Sequence, residues 1–532
     1  MSPEVELKFT LDSKAAARVP LVPLLLNLAT AKPETRRLRC TYYDTFDGHL
    51  LRTHRTLRVQ RVGQGWLQTL ERDAAPGGVA PPHVESERRV TRGRLDLNMI
   101  EDARLRRKLG TWQAAGGLGR RFATVIRRTT WQLETPDGTS VQCVLDQGRL
   151  RTADGRRSIA LCEVALALKS GPPQALVAIA RELARSLQPS LSMEVRSRAE
   201  RGYSLWRGES PTRPRKADAL VMPGNITAAE AMARIVQSGC AHLQRNWQAA
   251  NSASRYDPEH VHQMRVASRR LRTAFSVFGE IDGGLRSHPL VEELRWLADL
   301  LGEARNWDVL LLETFPKLFA LFPDEPGLSL LVREATKRRR RARRAVNDAL
   351  RSERYMELTL SLCEFGLRAR EHPALSIPVT PVAADMLTRR HRQLRKRARR
   401  LAELSARQRH VLRISAKKLR YTAEFFGSLF PGAKLDKFLR RFGDLQKGLG
   451  LLNDLATTRE LMSALAASAG AEAQRPLGLC TGWSAGLEEG TLSELPRWWK
   501  GVKGAAPFWP QRRHPVDARP PPASPATGAV AK

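Results

Sequence analysis

Two helical segments carry the same constellation of cations. His262, Arg265, Arg269 and Arg272 stand at steps of three, four and three. With 3.6 residues per turn, that spacing puts all four on one helix face. His410, Arg413, Lys417 and Arg420 repeat the spacing 148 residues later (410 − 262 = 148). A run of charge is usually a solvated face. Here the stripe is nearly free of acidic compensation and occurs twice, which points to a bound anion. Guanidinium forks and ammonium groups suit phosphate oxygens. Near the N-terminus, Glu4-x-Glu6-x-Lys8 puts two carboxylates and an amine on one side of a strand, because side chains alternate with period two. Val5, Leu7 and Phe9 take the other side, so the polar side reads either as a site or as a solvated face.

Elements able to position these residues follow in order. Leu57 to Val62 and Trp66 to Leu70 read as a strand pair joined through Gly63-Gln64-Gly65. Trp131 to Glu134 and Val141 to Leu145 flank Thr135-Pro136-Asp137-Gly138, a hairpin signal. Leu161 to Leu168 is an apolar strand, and Gln174 to Leu187 has helical periodicity. Many short strands with turn punctuation predict a barrel or sandwich over residues 1–205. Residues 206–223 hold Pro, Gly and charge without periodicity and read as a linker. The pattern is helical over 224–500, and residues 504–532, rich in Pro and Ala, read as a disordered tail.

A chain of 532 residues is too long for one core. Its 89 Lys+Arg against 54 Asp+Glu leave a net charge of +35. Such a chain attracts polyanions over long range, so nucleic acid, an anionic membrane surface and polyphosphate all fit at this level. Six scattered cysteines form no C-x-x-C pair. That argues against a disulfide framework or zinc site and for a reducing cytosol. No stretch approaches the roughly 20 apolar residues of a membrane span, and the alternating N-terminus does not read as a signal peptide. Two dense basic runs, 337–344 and 389–400, extend an anion-binding face, contact RNA or are simply solvated.

The helical region repeats internally. The shift of 148 that superposes the two stripes also pairs Leu301-Gly302 with Leu449-Gly450, and Asn306 with Asp454. Two equivalent halves with an anion-binding groove between them are the expectation. The pattern His262-x-x-Arg265-x-x-x-Arg269-x-Leu271-Arg272, then Leu301-Gly302-x-x-Arg305-Asn306-x-Asp308-Val309, has a second copy reaching Arg420-Tyr421 and Leu449-Gly450-x-x-Asn453-Asp454. It resembles the CHAD family. The resemblance implies an all-α, pseudo-two-fold pair of four-helix bundles that binds inorganic polyphosphate. Carried across position by position, it implicates His262, Arg265, Arg269, Arg270, Arg272, His410, Arg413, Lys417, Lys418, Arg420 and Tyr421. Asn306 stands where the family has Asp; Asp308 and Asp454 are expected to orient basic residues rather than react.

In the strand-rich region, Glu4-x-Glu6-x-Lys8 is followed by Tyr42-Tyr43-Asp44-Thr45, Leu57-Arg58-Val59, Leu145-Asp146-Gln147-Gly148 and Ser197-Arg198-Ala199-Glu200-Arg201-Gly202-Tyr203. This order resembles the CYTH, or triphosphate tunnel metalloenzyme, family over residues 1–205. The succession of the two domains resembles bacterial inorganic triphosphatases. The resemblance implies an eight-stranded antiparallel β tunnel with Glu4, Glu6 and Lys8 at its catalytic centre. It implies Mg²⁺ or Mn²⁺ on Glu4, Glu6, Asp146 and Glu163, with Glu85 or Glu87 nearby in role. Phosphate falls to Lys8, Arg39, Arg58, Arg61, Arg127 or Arg128, and Arg198. Hard oxygen ligands suit these metals, which neutralise phosphate charge and orient an attacking water. Several family positions differ. Gln60, Glu71 and His83 stand where the family has cations, and Ala165 and Ala167 where it has Glu. A shift of one residue flips a strand side chain to the other face, so Arg61 and Arg72 do not replace lost neighbours.

The expectation is an α+β multidomain protein that hydrolyses inorganic triphosphate with a metal and binds polyphosphate on its helices. The alternative is a non-catalytic polyphosphate-binding protein with a degenerate tunnel. Nucleic acid is the second choice of partner, since aromatics total 6% and show no stacking platform. A class IV adenylyl cyclase shares the barrel, but the attached helical domain favours polyphosphate chemistry. The expected location is the cytoplasm or polyphosphate granules.

Overall fold

The computed structural model describes residues 5–72, 83–91, 93–209, 213–250, 257–430, 432 and 434–511. Nine strands build one antiparallel sheet: β1 (Glu6–Thr10), β2 (Glu34–Thr45), β3 (Arg55–Val62), β4 (Gly65–Arg72), β5 (His83–Val90), β6 (Leu118–Glu134), β7 (Ser140–Thr152), β8 (Ser158–Ser170) and β9 (Ser192–Met193). Their order is β5-β4-β3-β2-β6-β7-β8-β1-β9. Both predicted hairpins form, with Val62 opposite Gly65 and Glu134 opposite Ser140. The strand count is nine rather than eight, because the two-residue β9 adds to the edge of β1. A strand that short has no alternation to read. Among the described residues, no pairing joins β5 to β9.

The longer helices beside this sheet are α1 (Ala103–Ala114), α2 (Pro173–Leu187) and α3 (Arg198–Arg207). On one face, Leu57, Val59 and Leu70 pack with Leu105 and Leu109 of α1. On the other, Tyr42, Phe122, Ile126 and Leu150 pack with Tyr203 of α3. Ser197 caps α3 by accepting from the Glu200 amide at 3.0 Å. Gly202 lets this helix press on the sheet: a Cβ there would lie 2.0 Å from a Phe122 ring carbon. A side chain at that position would push α3, and the arginines it carries, off the sheet.

The long helices of the helical region are α4 (Ala228–Ala250), α5 (Pro258–Phe278), α6 (Pro289–Val309), α7 (Pro326–Arg351), α8 (Glu353–Arg368), α9 (Val379–Arg397), α10 (Ala406–Phe426), α11 (Lys434–Ala469) and α12 (Gln474–Lys503). The internal repeat is carried into its secondary structure. Both α5 and α10 have 21 residues, and both ends shift by 148 (406 − 258 and 426 − 278). Their starts are capped differently. Asp257 accepts from the Glu259 amide at 2.9 Å ahead of Pro258, whereas Ser405 and Gln408 form a capping box. Either cap stabilises its helix by about 1 kcal/mol. Val261, Met264, Leu271, Phe275 and Phe278 fix the inward face of α5. Each such burial contributes about 1.5–3 kcal/mol, which leaves the opposite face for cations.

The chain divides into two compact units, and the division runs through the helical region. One unit holds Met1–Met222, Ile226–Ile377 and Asp454–Gly486; the other holds Pro223–Asn225, Pro378–Asn453 and Leu487–Lys532. Residues 213–223, within the expected linker of 206–223, have neither helix nor strand and pack against the first helices. The Arg215 backbone bonds the Asn246 side chain at 3.0 and 2.9 Å and His242 Nε2 at 3.1 Å, and Met222 is buried. The sheet and the first helices are thereby tied together. Arg181 of α2 reaches α8, with Glu357 at 2.9 Å and Glu364 at 2.7 Å. The disordered stretch expected from 504 is corrected at its start. Phe508 and Trp509 are buried beside Phe438, and Trp509 donates to Thr388 at 2.9 Å. Residues 512–532 lie outside the described residues. Among the described residues, no helix is long and apolar enough to cross a membrane.

Candidate active site

One cross-strand row of the sheet gathers the charged interior. Thr10 stands opposite Glu163, Glu163 opposite Asp146, Asp146 opposite Arg128, and Arg128 opposite Arg36. Directly opposed residues share a face, so β1, β8, β7, β6 and β2 each contribute one side chain. Asp146 and Glu163 are each 1% exposed. Arg128 binds Asp146 through two parallel hydrogen bonds of 2.8 Å. From α3, Arg198 reaches both carboxylates, at 3.1 and 3.0 Å from Glu163 and in a short contact with Asp146. Arg201, one helical turn on, is buried against Glu163. Burial pushes the Asp146 carboxyl up, but Arg128 and Arg198 overcome it and hold the group below the usual range. Burial pushes Arg201 down to about 10.

Lys8 stands two residues before Thr10 on the same face, opposite Ala165. Its ammonium donates to the Arg196 carbonyl at 2.9 Å. Burial, followed by the charge of Arg201 and opposed by Glu194 and Glu6, pushes its pKa down to about 8. Glu194 and Arg196 form a second buried pair at 2.9 Å, and Glu194 also lies 3.7 Å from Arg201. The cluster therefore sets Asp146, Glu163 and Glu194 against Arg128, Arg196, Arg198, Arg201 and Lys8. Sequence reasoning missed Glu194, Arg196 and Arg201. The alternating Glu194-Val195-Arg196 and the three-residue step from Arg198 to Arg201 were the available signals.

The other expected residues are placed unequally. Glu4 lies outside the described residues, and Glu6 is exposed on the Lys8 side of β1, opposite Ala167. Arg58 shares the face of Tyr42, its cross-strand partner. It is held by Glu71 at 2.5 Å, the carboxylate that replaces an expected cation. Arg39 and Arg61 are corrected. Both are exposed on the opposite face of the sheet, as is Arg127, so the structure brings Arg128 and not Arg127 to the cluster. A bulge at Leu70/Glu71 separates the two acids of β5: Glu87 stays opposite Thr69, while Glu85 pairs with Arg55 at 2.8 Å and Arg72 at 2.6 Å. Among the described residues, no group of three or more His, Cys, Asp or Glu is placed to hold a metal ion.

In the helical region, α5 presents His262, Arg265, Arg269 and Arg272 at partial exposure. The Arg265 guanidinium lies over α6, 3.6–3.8 Å from where a Cβ would stand at Gly302. Burial lowers the His262 pKa, and Arg305, Arg269 and Arg265 lower it further against the pull of Glu259. Asp308, fully buried, holds Arg339 of α7 at 2.6 Å. Arg270, implicated by the resemblance, lies off the stripe: it is buried, and its charge acts on His242 of α4. In the second half, His410 bonds Asn453 at 3.0 Å, and Arg420 bonds Glu424 at 2.8 Å and Gln446 at 2.9 Å. Arg413, Lys417 and Lys418 are partly exposed on α10, and Tyr421 is buried.

Two family models match the chain in succession, a CYTH domain over residues 2–203 and a CHAD domain over residues 234–463. An uncharacterized protein of Mycobacterium tuberculosis is 31% identical over 259 residues, 47% of this chain and 48% of its own length. The chain thus spans about half the length of the curated relatives it matches. The crystal structure of the CHAD domain from the plant Ricinus communis is 31% identical, with a TM-score of 0.50, covering 55% of this chain and 97% of its own. A Hippeastrum protein described as an adenylyl cyclase with dominant triphosphatase activity is 16% identical, covers 39% of this chain and 97% of its own, and has a TM-score of 0.26. The paired carboxylates of the sheet and the repeated basic helices are therefore those of a CYTH domain followed by a CHAD domain.

Proposed function

We propose that the CYTH domain hydrolyses inorganic triphosphate and that the CHAD domain binds polyphosphate. The observation that carries the first half is the register pair Asp146 and Glu163, which share Arg198 on the face that also carries Lys8. A triphosphate needs several cations around it and carboxylates beside it. Arg128, Arg198, Arg201 and Lys8 supply the cations. The three guanidiniums now rest on carboxylates and the Lys8 ammonium on a backbone carbonyl; a phosphate chain offers competing oxygens and frees the acids. In kind, Asp146 and Glu163 fit a hard divalent cation, and with Glu4 and Glu6 they would hold Mg²⁺ or Mn²⁺. Such a cation neutralises phosphate charge and orients water when bound. The protein's own part is positional: α3 delivers Arg198 and Arg201, and the sheet buries the carboxylates they meet, where charge contacts are stronger.

A second reading has its own support. Glu71 neutralises Arg58, and Ala165 and Ala167 stand opposite Lys8 and Glu6 where carboxylates are expected. On that reading the tunnel binds phosphate without reacting. The test is phosphate release from tripolyphosphate with Mg²⁺ or Mn²⁺, comparing the native chain with Glu4→Ala/Glu6→Ala. Release that requires the metal and both carboxylates supports the enzyme. Equal release from the variant overturns the assignment. No release from folded protein that retains tripolyphosphate selects the binding reading. For the helices, α5 and its repeat α10 carry the proposal, each with a basic face at the same spacing.

A further inference from the structure

The arginines that miss the interior are not scattered. Arg37 and Arg39 of β2, Arg61 of β3, Arg127 of β6, and Arg149 and Arg151 of β7 are all exposed. Register places them on one face. Arg37 is directly opposite Arg127, Arg39 is opposite Val125, and Val125 is opposite Arg149. Arg151 follows two residues beyond Arg149, and Arg61 lies one step past the Cys40–Gln60 pair, beside Arg39. This is the outer side of the strands whose inner side carries Asp146 and Arg128. Inside, every arginine named has a carboxylate. Outside, none of the six forms an ion pair among the described residues. Arg127 donates to Gln147 at 2.7 Å and Arg149 to Ser158 at 2.9 Å, both neutral partners.

Like charges directly opposed across strands destabilise a sheet. Arg37 and Arg127 are such a pair, and six neighbouring arginines without a carboxylate set up a field that draws polyanions. We infer that the arginine strip on the outer face of β2, β3, β6 and β7, beyond the part of that face on which α1 packs, is a second docking surface for a long polyphosphate chain, distinct from the CHAD helices and from the CYTH interior. Charge complementarity and the chemistry of the face select this occupant. Beside the arginines stand Val125, 56% exposed, the exposed Ala160, Ala123 and Gln147, and none of these offers a ring to stack a base, which sheet surfaces that read single-stranded nucleic acid use. Trp66, opposite Arg61, packs against the core of Leu57 and Leu105 instead. A polymer made only of phosphate needs only guanidiniums. The inference goes beyond the proposed hydrolysis and rests on the polyphosphate reading of the chain for its ligand class.

The test uses the full chain and Arg37→Gln/Arg149→Gln/Arg151→Gln, exposed positions outside the interior cluster. Binding of long-chain polyphosphate is measured over a range of salt, beside a single-stranded RNA and anionic vesicles, with tripolyphosphate hydrolysis as a control on the interior. Each lost phosphate contact removes roughly 0.7 from the slope of log affinity against log salt, so the triple variant should lose about 2 in slope and about tenfold in affinity. Hydrolysis should not change, whether or not the native chain is active. Unchanged polyphosphate affinity and slope overturn the inference, as does a loss confined to RNA or to vesicles. Failure of the tunnel reading shows separately, as absent phosphate release with this loss of binding intact.

Discussion

Glu163→Gln asks whether one carboxylate organises the CYTH interior. Glu163 is 1% exposed and receives Arg198 at 3.0 and 3.1 Å as well as Arg201. Glutamine preserves the size and one acceptor oxygen but removes the charge that both guanidiniums face. Removing one partner of a buried ion pair costs about 3–5 kcal/mol, because the other charge is left uncompensated. In a domain of about 200 residues, each kcal/mol lowers Tm by roughly 2–4 °C, so the expected fall is about 6–20 °C. Differential scanning calorimetry of the full chain measures it. Glu163→Gln/Arg201→Gln should recover part of the loss, since the orphaned guanidinium leaves with its partner. A single variant within about 2 °C of the native chain, or a double variant as unstable as the sum of its singles, refutes the reasoning.

The other expectations follow from the same contacts. Glu71→Gln releases Arg58 from its 2.5 Å partner and should tighten tripolyphosphate binding about tenfold, or 1.4 kcal/mol; calorimetric titration that shows no gain removes Glu71 as the element that weakens the site. Because Lys8 titrates at about 8, anion affinity should fall as pH rises past that value, binding at pH near 8 should take up protons, and Lys8→Arg should flatten the profile. Proton uptake, read from titrations in buffers of different ionisation enthalpy, is the check. The unfolded chain holds the Lys8 proton up to the ordinary 10.5, so between about 8 and 10.5 this group's contribution to stability rises with pH. Arg265→Gln/Arg269→Gln on α5 should lower the salt slope of polyphosphate binding by about 1.4, and an unchanged slope excludes that stripe.

Much of the architecture was legible because it is periodic. Alternation marked β1, β3 and β4, turn residues marked the two hairpins, and the exact shift of 148 marked α5 and α10 as equivalents before any coordinates. Residue types alone also separated an interior rich in paired charge from an uncompensated basic helix face. What alternation could not supply was phase across strands. Which of Arg127 and Arg128 faces Asp146 depends on the register between β6 and β7, and a bulge at Leu70 decides where Glu85 points. Burial was equally hidden: Arg270, implicated by the resemblance alongside the stripe, is turned inward by the helix. Phe508 and Trp509 sit in a Pro-rich segment but find an aromatic cluster distant in sequence. Two domains, their order, the repeat and the kinds of charge available follow from residue pattern alone. Which charges meet is a matter of the folded arrangement. Pairing between distant strands and the seat of α3 on Phe122 set the distances over which ion pairs form, and no local pattern encodes those distances.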